Sequence, residues 1–571
     1  MEENGPYASK PWLRYYDKGV PAALDYPSIP LDRLLSDSAA KYPQRPAIIF
    51  GGSLGTRVMD STMSYQKLDD EVNRFAAKLQ HLGLKTGDRV AIITPNCPQF
   101  IIAYFGTLRA GGVAAPCNFL YTANELEHLL NEAGAEIAVV LSPFYHRIHS
   151  VRTRTRLRHV IVANVKEHFP PLLRLLFTLA KEKKEGHRVE LAEEGDLWFQ
   201  APLAGAADRP KPVEVASEDA ACLLFTGGTT GVPKGAQLTH QNLVSNAVAG
   251  LVWCHAREAQ EVTIGALPLF HSYGMTTVMN CSIAGSNAMV LIPDPRDVLH
   301  IMASISKHQA TLYPAVPTMY VAINTHAQLA RFDLSSVRIC ISGAAPLPKE
   351  VQESFQELTG STLVEGYGLT ETSPVTHGNP LSRNRIGFIG IPWPDTDARI
   401  VDVDTGEKEL PVGEIGELII HGPQVMKGYW QQPTETANVL REHPDFGPGP
   451  WLHTGDIARM DEEGYFQIVD RKKDMIICGG FNVYPRDVEE VLFIHPAVQE
   501  AGVIGLADEY RGETVKAFVV LKEGMTATEQ EIIDFCREHL AKYKVPAAVE
   551  FRTELPKSTV GKVLRRELAG Q

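Results

Sequence analysis

Residues 221–235 read ACLLFTGGTTGVPKG, and this stretch decides the fold class. The apolar run 221–225 predicts a buried strand. The glycines, threonines and lysine that follow offer backbone N–H groups, hydroxyls and the Lys234 ammonium to an anion. Thr239 then begins a helical pattern as its N-cap. A strand, an anion-binding loop and a helix in this order indicate an α/β protein with a nucleotide phosphate site.

The loop differs from a Walker A motif, in which Gly-Lys-Ser/Thr supplies a hydroxyl to magnesium. Here Lys234 follows Pro233 and precedes Gly235. Taken alone, the same composition also suits a surface turn rich in glycine and threonine. The rest of the chain has to decide between these two interpretations.

Length and composition narrow the classes of protein. A chain of 571 residues exceeds what one hydrophobic core supports, so two or more domains are expected. The net charge of −13 disfavours nucleic-acid partners. The eight cysteines form no CxxC pair, which favours neither zinc nor disulfides and fits a cytoplasmic protein. The N-terminus lacks the apolar core of a secretory signal, and no apolar run approaches the roughly 20 residues that span a bilayer.

The organisation along the chain predicts two domains. Strand and helix patterns alternate over about 1–385, which predicts largely parallel sheets covered by helices. Short β-like runs over about 386–470 predict a small antiparallel barrel or sheet that completes an N-terminal domain, 1–470. The charged run 471–474 is interpreted as a hinge, although a solvated turn is the commoner fate of such a run. Residues 475–571 are long enough for a smaller, mobile α+β domain.

One segment opposes the acidic trend. Residues 147–188 carry eleven Lys or Arg and three Glu, a local net charge of +8, around the apolar run FPPLLRLLFTLA. Such a segment suits peripheral contact with the inner face of a membrane. A helix that packs on its own domain, with its lysines extended to solvent, is an equally good interpretation.

Further motifs downstream suit a nucleotide or an acyl group. His271 ends an apolar run, and the small residues of 342–347, SGAAPL, allow close approach of a ligand to the backbone. In EGYGLTET, 365–372, Tyr367 offers a flat ring to a base and Glu371 a carboxylate to magnesium. Asp456 suits ribose hydroxyls.

Near the end of the chain, residues 555–566 read LPKSTVGKVLRR and present Lys562 directly after a glycine. Each of these motifs is weak by itself, but their order along the chain is specific. From about residue 64 to 566 the chain resembles the adenylate-forming superfamily of acyl-CoA synthetases, luciferases and peptide-synthetase adenylation domains. Within it, EGYGLTETSPVTH at 365–377, GGFNVYP at 479–485 and YRGETVK at 510–516 are most similar to bacterial long-chain-fatty-acid–CoA ligases.

The resemblance implies a reaction and a set of site residues. A long-chain fatty acid and ATP give an acyl-adenylate and pyrophosphate, and coenzyme A then takes the acyl group with release of AMP. The implied catalytic residues are Lys562, His271 and Glu371, and the implied Mg²⁺ ligands are Glu371 and Thr226. Members with Ser or Thr at the place of Gly227 have a hydroxyl that this chain lacks, and Thr226 is the nearest replacement. The implied nucleotide- and coenzyme-binding residues are Thr226, Thr229, Thr230, Lys234, Gly343, Glu365, Gly366, Tyr367, Thr370, Asp456, Arg471, Lys473 and Gly480.

The resemblance also implies that the C-terminal domain rotates about a hinge at Lys473 between the two half-reactions. Some members carry aspartate at this position, and a lysine also occurs in relatives. The rotation would withdraw Lys562 and bring the loop at Gly480 toward coenzyme A. Two other functions stay open. An acyl- or aryl-adenylating enzyme could load a carrier protein, and a fatty-acid sensor could use the same scaffold without catalysis, although a sensor has no use for Lys562.

Overall fold

The computed structural model describes residues 6–202, 205, 207–226, 233–478, 481–508, 512–558 and 563–570. The strands of the α/β part are β1 Pro46–Leu54, β2 Arg57–Ser64, β3 Arg89–Ile93, β4 Val113–Pro116, β5 Ile137–Leu141, β6 His159–Ala163, β7 Leu197–Trp198, β8 Ala220–Thr226, β9 Lys234–Thr239, β10 Val262–Gly265, β11 Ala288–Leu291, β12 Leu312–Ala315, β13 Ile339–Ser342, β14 Thr362–Gly368, β15 Val375–Gly378 and β16 Ile391–Pro392. The remaining strands are β17 Asp397–Val401, β18 Gly416–His421, β19 Gly428–Tyr429, β20 Leu440–Glu442, β21 Pro450–Met460, β22 Phe466–Arg471, β23 Ile476–Cys478, β24 Phe481–Val483, β25 Val498–Asp508, β26 Gly512–Leu521 and β27 Ala548–Phe551.

The helices cover the faces of the sheets or connect their strands. They are α1 Asp32–Lys41, α2 Tyr65–His81, α3 Pro98–Arg109, α4 Ala123–Ala133, α5 Tyr145–Val151, α6 Pro171–Ala180, α7 His240–Trp253, α8 Ser272–Gly274, α9 Cys281–Ala284, α10 Val298–His308, α11 Pro317–Asn324, α12 Lys349–Thr359, α13 Pro433–Val439, α14 Pro485–Ile494, α15 Glu529–His539 and α16 Arg565–Leu568. A π-helical turn, Met275–Asn280, joins α8 to α9.

Two large sheets form the α/β part, as the sequence predicts. One has eight strands in the order β19-β9-β8-β4-β3-β5-β6-β7, and the other has nine in the order β16-β15-β14-β13-β12-β10-β11-β1-β2. The central strands of both sheets are parallel. These strands are largely apolar, as expected of parallel strands with both faces buried by helices. A hydrophobic cluster that draws on both sheets forms the main core.

The strand predicted at 221–225 is β8, and the helix that Thr239 caps is α7, with the Asn242 N–H donating to the Thr239 hydroxyl over 3.1 Å. The predicted passage from loop to helix is wrong in one respect. The chain first returns along β8 as the antiparallel strand β9, which pairs Thr226 with Lys234. Lys234 therefore opens a strand, and its position is fixed by the sheet.

Two smaller sheets follow along the chain. β17, β18, β20, β21 and β22 form a five-stranded antiparallel sheet. β23 to β27 form a second five-stranded sheet, which is mixed because β26 and β27 are parallel, and it packs against α14 and α15 through a separate hydrophobic cluster. The C-terminal region thus has its own core, as an independent domain requires.

Many of the basic side chains of the segment 147–188 bind other residues of the protein. Arg147 donates to the carbonyls of Phe119 and Tyr121, and Arg154 pairs with Glu127 over 2.8 Å. Arg152 forms an ion pair with Asp196. None of the described helices combines the length and the apolar character that crossing a bilayer requires.

Candidate active site

The site is organised by the turn that follows β14. The motif EGYG forms the carboxyl end of this strand, which lies between β13 and β15, and a single 3-10 turn, Thr370–Thr372, leads back into β15. Gly368 lies where the two strands meet so closely that a Cβ atom would stand 1.8 Å from the Pro374 carbonyl oxygen. Only glycine fits at position 368, because any side chain would collide with the backbone of Pro374. This close contact between the two strands fixes the positions of Tyr367 and Glu371.

Tyr367, Asp456 and Arg471 form one polar group. The Tyr367 hydroxyl donates to Asp456 Oδ2 over 2.6 Å, and Arg471 Nε lies 3.4 Å from Asp456 Oδ1. Asp456 and Arg471 face each other across β21 and β22. Burial, followed by the nearby Asp456 charge, raises the pKa of Tyr367 far above its ordinary value. The phenol therefore stays a donor, and its bond to Asp456 holds the ring in one orientation.

A second polar group centres on Glu371. The Tyr429 hydroxyl donates to Glu371 Oε1 over 2.8 Å, and the Met426 N–H donates to the Glu371 carbonyl over the same distance. Tyr429 lies on the two-residue strand β19, which pairs with β9 opposite Ala236. The pairing places Glu371 beside the strand that begins at Lys234.

Lys234 joins this second group through Tyr429. Its ammonium lies 5.3 Å from the centre of the Tyr429 ring and forms an ion pair with Glu435. The Thr226 hydroxyl donates to the Lys234 carbonyl over 3.4 Å. Thr226, Lys234 and Glu371 therefore lie in one region, as a site for phosphates and their metal requires.

His271 and Gly343 lie next to the same turn. The Ser272 hydroxyl is 3.4 Å from that of Thr370, and His271 Nδ1 accepts the Tyr273 N–H over 3.3 Å. Burial lowers the pKa of His271 to about 4, so the imidazole is neutral at pH 7. A Cβ on Gly343 would meet the Tyr273 ring at 3.1 Å. From the sequence, Gly343 was predicted to allow close approach of a ligand. In the structure, the group that lies close to Gly343 is the Tyr273 side chain.

Glu365 is buried, and Gly366 half-buried, where β14 passes the end of β13. A Cβ on Gly366 would lie 3.2 Å from Ile341 Cγ2. Burial raises the pKa of Glu365 to about 7, against the opposing charge of Arg486 from α14 of the C-terminal region. Glu365 is thus a carboxyl group that ionises close to neutral pH at the border of the two regions.

The predicted hinge lies within a network of charges. Arg565 lies 3.1 Å from Asp470, 3.0 Å from Asp474 and 2.8 Å from Glu489. Lys473 stands between the two aspartates in sequence, and burial, followed by the charge of Arg471, lowers its pKa. Arg565 comes three residues after Lys562 in sequence, so the network links the described residues that follow Lys562 to the hinge.

Several predicted residues lie outside the described part of the chain, namely Thr229, Thr230, Gly480 and Lys562, together with Gly227. Other residues of the site were not predicted from the sequence, namely Tyr429, Glu435 and Arg565. Tyr429 is 58 positions from Glu371, and its local signal is a pair of aromatic residues after a glycine, Gly428-Tyr429-Trp430.

The oxygen donors near Glu371 suit a magnesium ion that is also bound by phosphates. Within the described ranges no cluster of three or more His, Cys, Asp or Glu side chains is arranged for a metal. Mg²⁺ does not need such a cage, because it commonly binds through one or two carboxylates, waters and substrate phosphates. Tyr429 engages Oε1 of Glu371, and no hydrogen bond or ion pair joins Oε2 to the side chain of another residue that the structure describes, so this oxygen can bind a metal. These residues therefore fit Mg²⁺ if phosphates complete its shell.

Comparison with known families decides what kind of protein carries this site. The family model described as AMP-binding enzyme matches residues 35–430, and the model of its C-terminal domain matches residues 487–562. The chain belongs to the AMP-binding enzyme family. Within this family it is 44% identical to the long-chain-fatty-acid–CoA ligase of Bacillus subtilis strain 168 and 41% identical to that of Yersinia pestis. The alignments cover 98% of this chain and 98% and 97% of the two relatives.

Solved structures of the family share the architecture. The ATP-bound RpMatB-BxBclM chimera B1 matches with a TM-score of 0.81 at 31% identity, over 95% of this chain and 98% of the chimera. The anthranilate CoA ligase AuaEII in complex with anthranoyl-AMP matches with a TM-score of 0.80 at 27% identity, over 96% and 98%. The predicted fold class, a large α/β N-terminal domain followed by a smaller C-terminal domain, is confirmed.

Proposed function

We propose that this AMP-binding enzyme is a long-chain-fatty-acid–CoA ligase that forms AMP. The observation that carries the proposal is the 40–44% identity to ligases of that name over nearly the whole chain. The grouping of Tyr367, Asp456, Lys234 and Glu371 around one turn supports it, because these residues suit a nucleoside triphosphate. We infer a cytoplasmic enzyme, since ATP and coenzyme A are supplied there.

In the first half-reaction a carboxylate oxygen attacks the α-phosphorus of ATP. The bond from that phosphorus to pyrophosphate breaks, and an acyl-adenylate forms. Both reactants are anions, so the protein has to align them and neutralise their charge. In the proposal Lys562 bridges the carboxylate and the α-phosphate, while Lys234, with Thr226, Thr229 and Thr230, binds the outer phosphates.

Tyr367 and Asp456 bind the nucleoside in this scheme. The phenol is fixed by its 2.6 Å bond to Asp456, so its ring is preorganised to flank adenine. Asp456, with Arg471 beside it, accepts from the ribose hydroxyls. Glu371, oriented by Tyr429, holds the magnesium ion, which when bound neutralises phosphate charge and helps pyrophosphate to leave.

In the second half-reaction the sulfur of coenzyme A attacks the acyl carbon. The bond from that carbon to the AMP oxygen breaks, the thiol proton is lost, and the thioester forms. A neutral His271 suits a place beside the acyl group, because it adds no charge to an apolar substrate channel. Rotation about Lys473 would exchange Lys562 for the loop at Gly480 between the two steps.

Aromatic acids are a second candidate substrate class. The chain is 35% identical to a feruloyl-CoA synthase of Amycolatopsis over 92% of its length, and AuaEII acts on anthranilate by its name. The higher identity to the fatty-acid ligases favours a long alkyl chain. Transfer to a carrier protein instead of coenzyme A would leave the first half-reaction unchanged.

A panel of acids tests the proposal. Acetate, octanoate, palmitate, oleate, benzoate and ferulate are each incubated with ATP and Mg²⁺, and pyrophosphate and thioester are measured with and without coenzyme A. We expect thioester with palmitate and oleate at a kcat/KM well above that with ferulate. A preference for ferulate or benzoate would overturn the substrate class, and adenylate without thioester would favour a carrier protein as acceptor.

A further inference from the structure

Helix α6, Pro171–Ala180, turns an apolar stripe toward solvent. Its inner face is buried through Leu173 and Phe177. Its outer face exposes four leucines, Leu172 at 60%, Leu175 at 56%, Leu176 at 40% and Leu179 at 77%. Their spacing of three, one and three residues places them along one side of the helix. Soluble proteins rarely expose such a contiguous apolar surface without a use for it.

The inner face packs α6 against the protein, and Lys166 Nζ donates to the Thr178 hydroxyl over 3.3 Å on another side of the helix. The Phe177 ring meets Phe169 edge-on with centroids 5.5 Å apart, and Phe169 stacks on Phe50 of β1 at 5.6 Å. Leu173 packs close to Gly52, where an added Cβ would lie 3.4 Å from it. The exposed leucines take no part in this packing, so their substitution leaves the fold intact.

Cations flank the stripe. Arg174 lies on the side of α6 that lines a groove with Pro171 and Thr178, away from the leucine stripe. Lys183 and Lys184 follow the helix, and all three cations have exposed side chains. Within the described part of the chain, no ion pair joins any of the three to a carboxylate. Lys181 is engaged with Glu185 over 3.3 Å. Unlike Arg147, Arg152 and Arg154 earlier in the basic segment, these three charges face outward unpaired.

A groove runs beside the helix. Its volume is about 340 Å³, and its lining comprises Phe169, Pro171, Arg174, Leu175 and Thr178. Arg174 offers its guanidinium to an anion from one wall, and the remaining walls are largely apolar. This combination suits a phosphate headgroup with the upper part of its acyl chains.

We propose that α6 is a docking helix for membranes that contain anionic phospholipids. The four leucines enter the boundary between headgroups and acyl chains, while Arg174, Lys183 and Lys184 meet the lipid phosphates. Arg174 engages one phosphate at the groove. The inference does not depend on the acid that the enzyme activates, because α6 contributes no residue to the candidate active site.

A lipid surface fits better than a protein partner. Lysine is depleted at protein–protein interfaces, whereas basic residues beside an apolar stripe are typical of helices at anionic membranes. A symmetric dimer through α6 would set two patches of like charge against each other. The whole chain carries a net charge of −13, so only a local cationic surface of this kind can approach an anionic bilayer.

Vesicle flotation tests the proposal with the full-length protein. The vesicles consist of phosphatidylcholine alone or of equal parts phosphatidylcholine and phosphatidylglycerol. One variant changes Leu172, Leu175, Leu176 and Leu179 to serine, and another changes Arg174, Lys183 and Lys184 to glutamine. The matched control changes Phe493 and Ile494 to serine, since these apolar residues of α14 are also exposed, at 52% and 66%. Thermal unfolding verifies that each variant is folded.

We expect the wild type and the control to float with the anionic vesicles. The leucine variant should lose at least ~100-fold in partition coefficient, because burying a single leucine side chain is worth about tenfold or more. The glutamine variant should lose ~fivefold per cation on anionic vesicles and nothing on neutral ones.

Three outcomes would overturn the proposal. The leucine variant floats as well as the wild type, the wild type binds neither kind of vesicle, or the wild type forms a dimer that only the leucine variant disrupts. The last result would make the stripe an interface between two copies of the chain. None of these outcomes bears on acid activation, so the docking helix and the proposed function fail separately.

Discussion

Replacing Tyr429 by phenylalanine should weaken the binding of magnesium without changing kcat at saturating Mg²⁺. The change removes the hydroxyl that donates to Glu371 Oε1 over 2.8 Å and keeps the ring that lies 5.3 Å from the Lys234 ammonium. A hydrogen bond to a charged group contributes about 1.5–3 kcal/mol, which corresponds to roughly 10- to 100-fold in an equilibrium constant. Loss of an outer partner of a metal ligand has a similar effect, about 10- to 100-fold in metal affinity.

The assay is ATP–pyrophosphate exchange with a saturating fatty acid over a range of free Mg²⁺. The concentration that gives half-maximal rate should rise by about 10-fold or more, and kcat at saturating Mg²⁺ should stay near the wild-type value. Tyr16→Phe is a matched control, because it removes a hydroxyl that donates to the Pro392 carbonyl over 2.7 Å outside this group. An unchanged Mg²⁺ dependence of Tyr429→Phe would refute the role of Tyr429. A fall in kcat with no shift in the Mg²⁺ midpoint would refute it equally.

Three further substitutions probe the site. Asp456→Asn weakens an acceptor for ribose hydroxyls, so the KM for ATP should rise about 10-fold while the KM for coenzyme A is unchanged, as measured by steady-state thioester formation. Glu435→Gln removes the carboxylate that engages Lys234, so the KM for ATP should fall severalfold at low salt. Glu365→Gln should raise stability more at pH 8 than at pH 5. In the folded protein the pKa of Glu365 is about 7, above the ordinary 4.5 of the unfolded chain. The free energy of unfolding of the wild type therefore falls by about 1.4 kcal/mol per pH unit as the pH rises from 4.5 to 7, and the glutamine variant lacks this loss.

Each of these expectations has a clear contrary result. A KM for ATP that Asp456→Asn leaves unchanged would remove Asp456 from the nucleoside site. A KM for ATP that rises in Glu435→Gln would mean that Glu435 positions Lys234 and does not compete with phosphate. Denaturant unfolding of Glu365→Gln with the same gain at pH 5 and pH 8 would show that Glu365 does not titrate in this range.

Local patterns were sufficient for much of the fold. The apolar run of β8 and the capping chemistry of Thr239 depend on adjacent residues, so both were predicted correctly. The strand β9 between them was missed, because KGAQLT has little strand character of its own. It is a strand because it pairs with β8 on one side and with the distant β19 on the other.

The candidate site was predictable in its motifs but not in its contacts. The family resemblance marked Tyr367, Asp456 and Glu371, and the structure brings the first two within 2.6 Å. Tyr429 and Arg565 contact residues that are distant in sequence, and a local sequence pattern cannot predict such contacts. For the same reason the +8 charge of residues 147–188 overstated the basic surface, since Asp196 and Glu127 neutralise part of it from outside that segment.

A single-turnover experiment tests the central claim most directly. Purified enzyme is mixed with Mg²⁺, radiolabelled ATP and palmitate in the absence of coenzyme A, quenched with acid, and analysed for nucleotide products. The account predicts palmitoyl-AMP and pyrophosphate in equal amounts, and conversion of that adenylate to palmitoyl-CoA and AMP when coenzyme A is added. Formation of ADP and phosphate, or the absence of any acyl-adenylate, would contradict it.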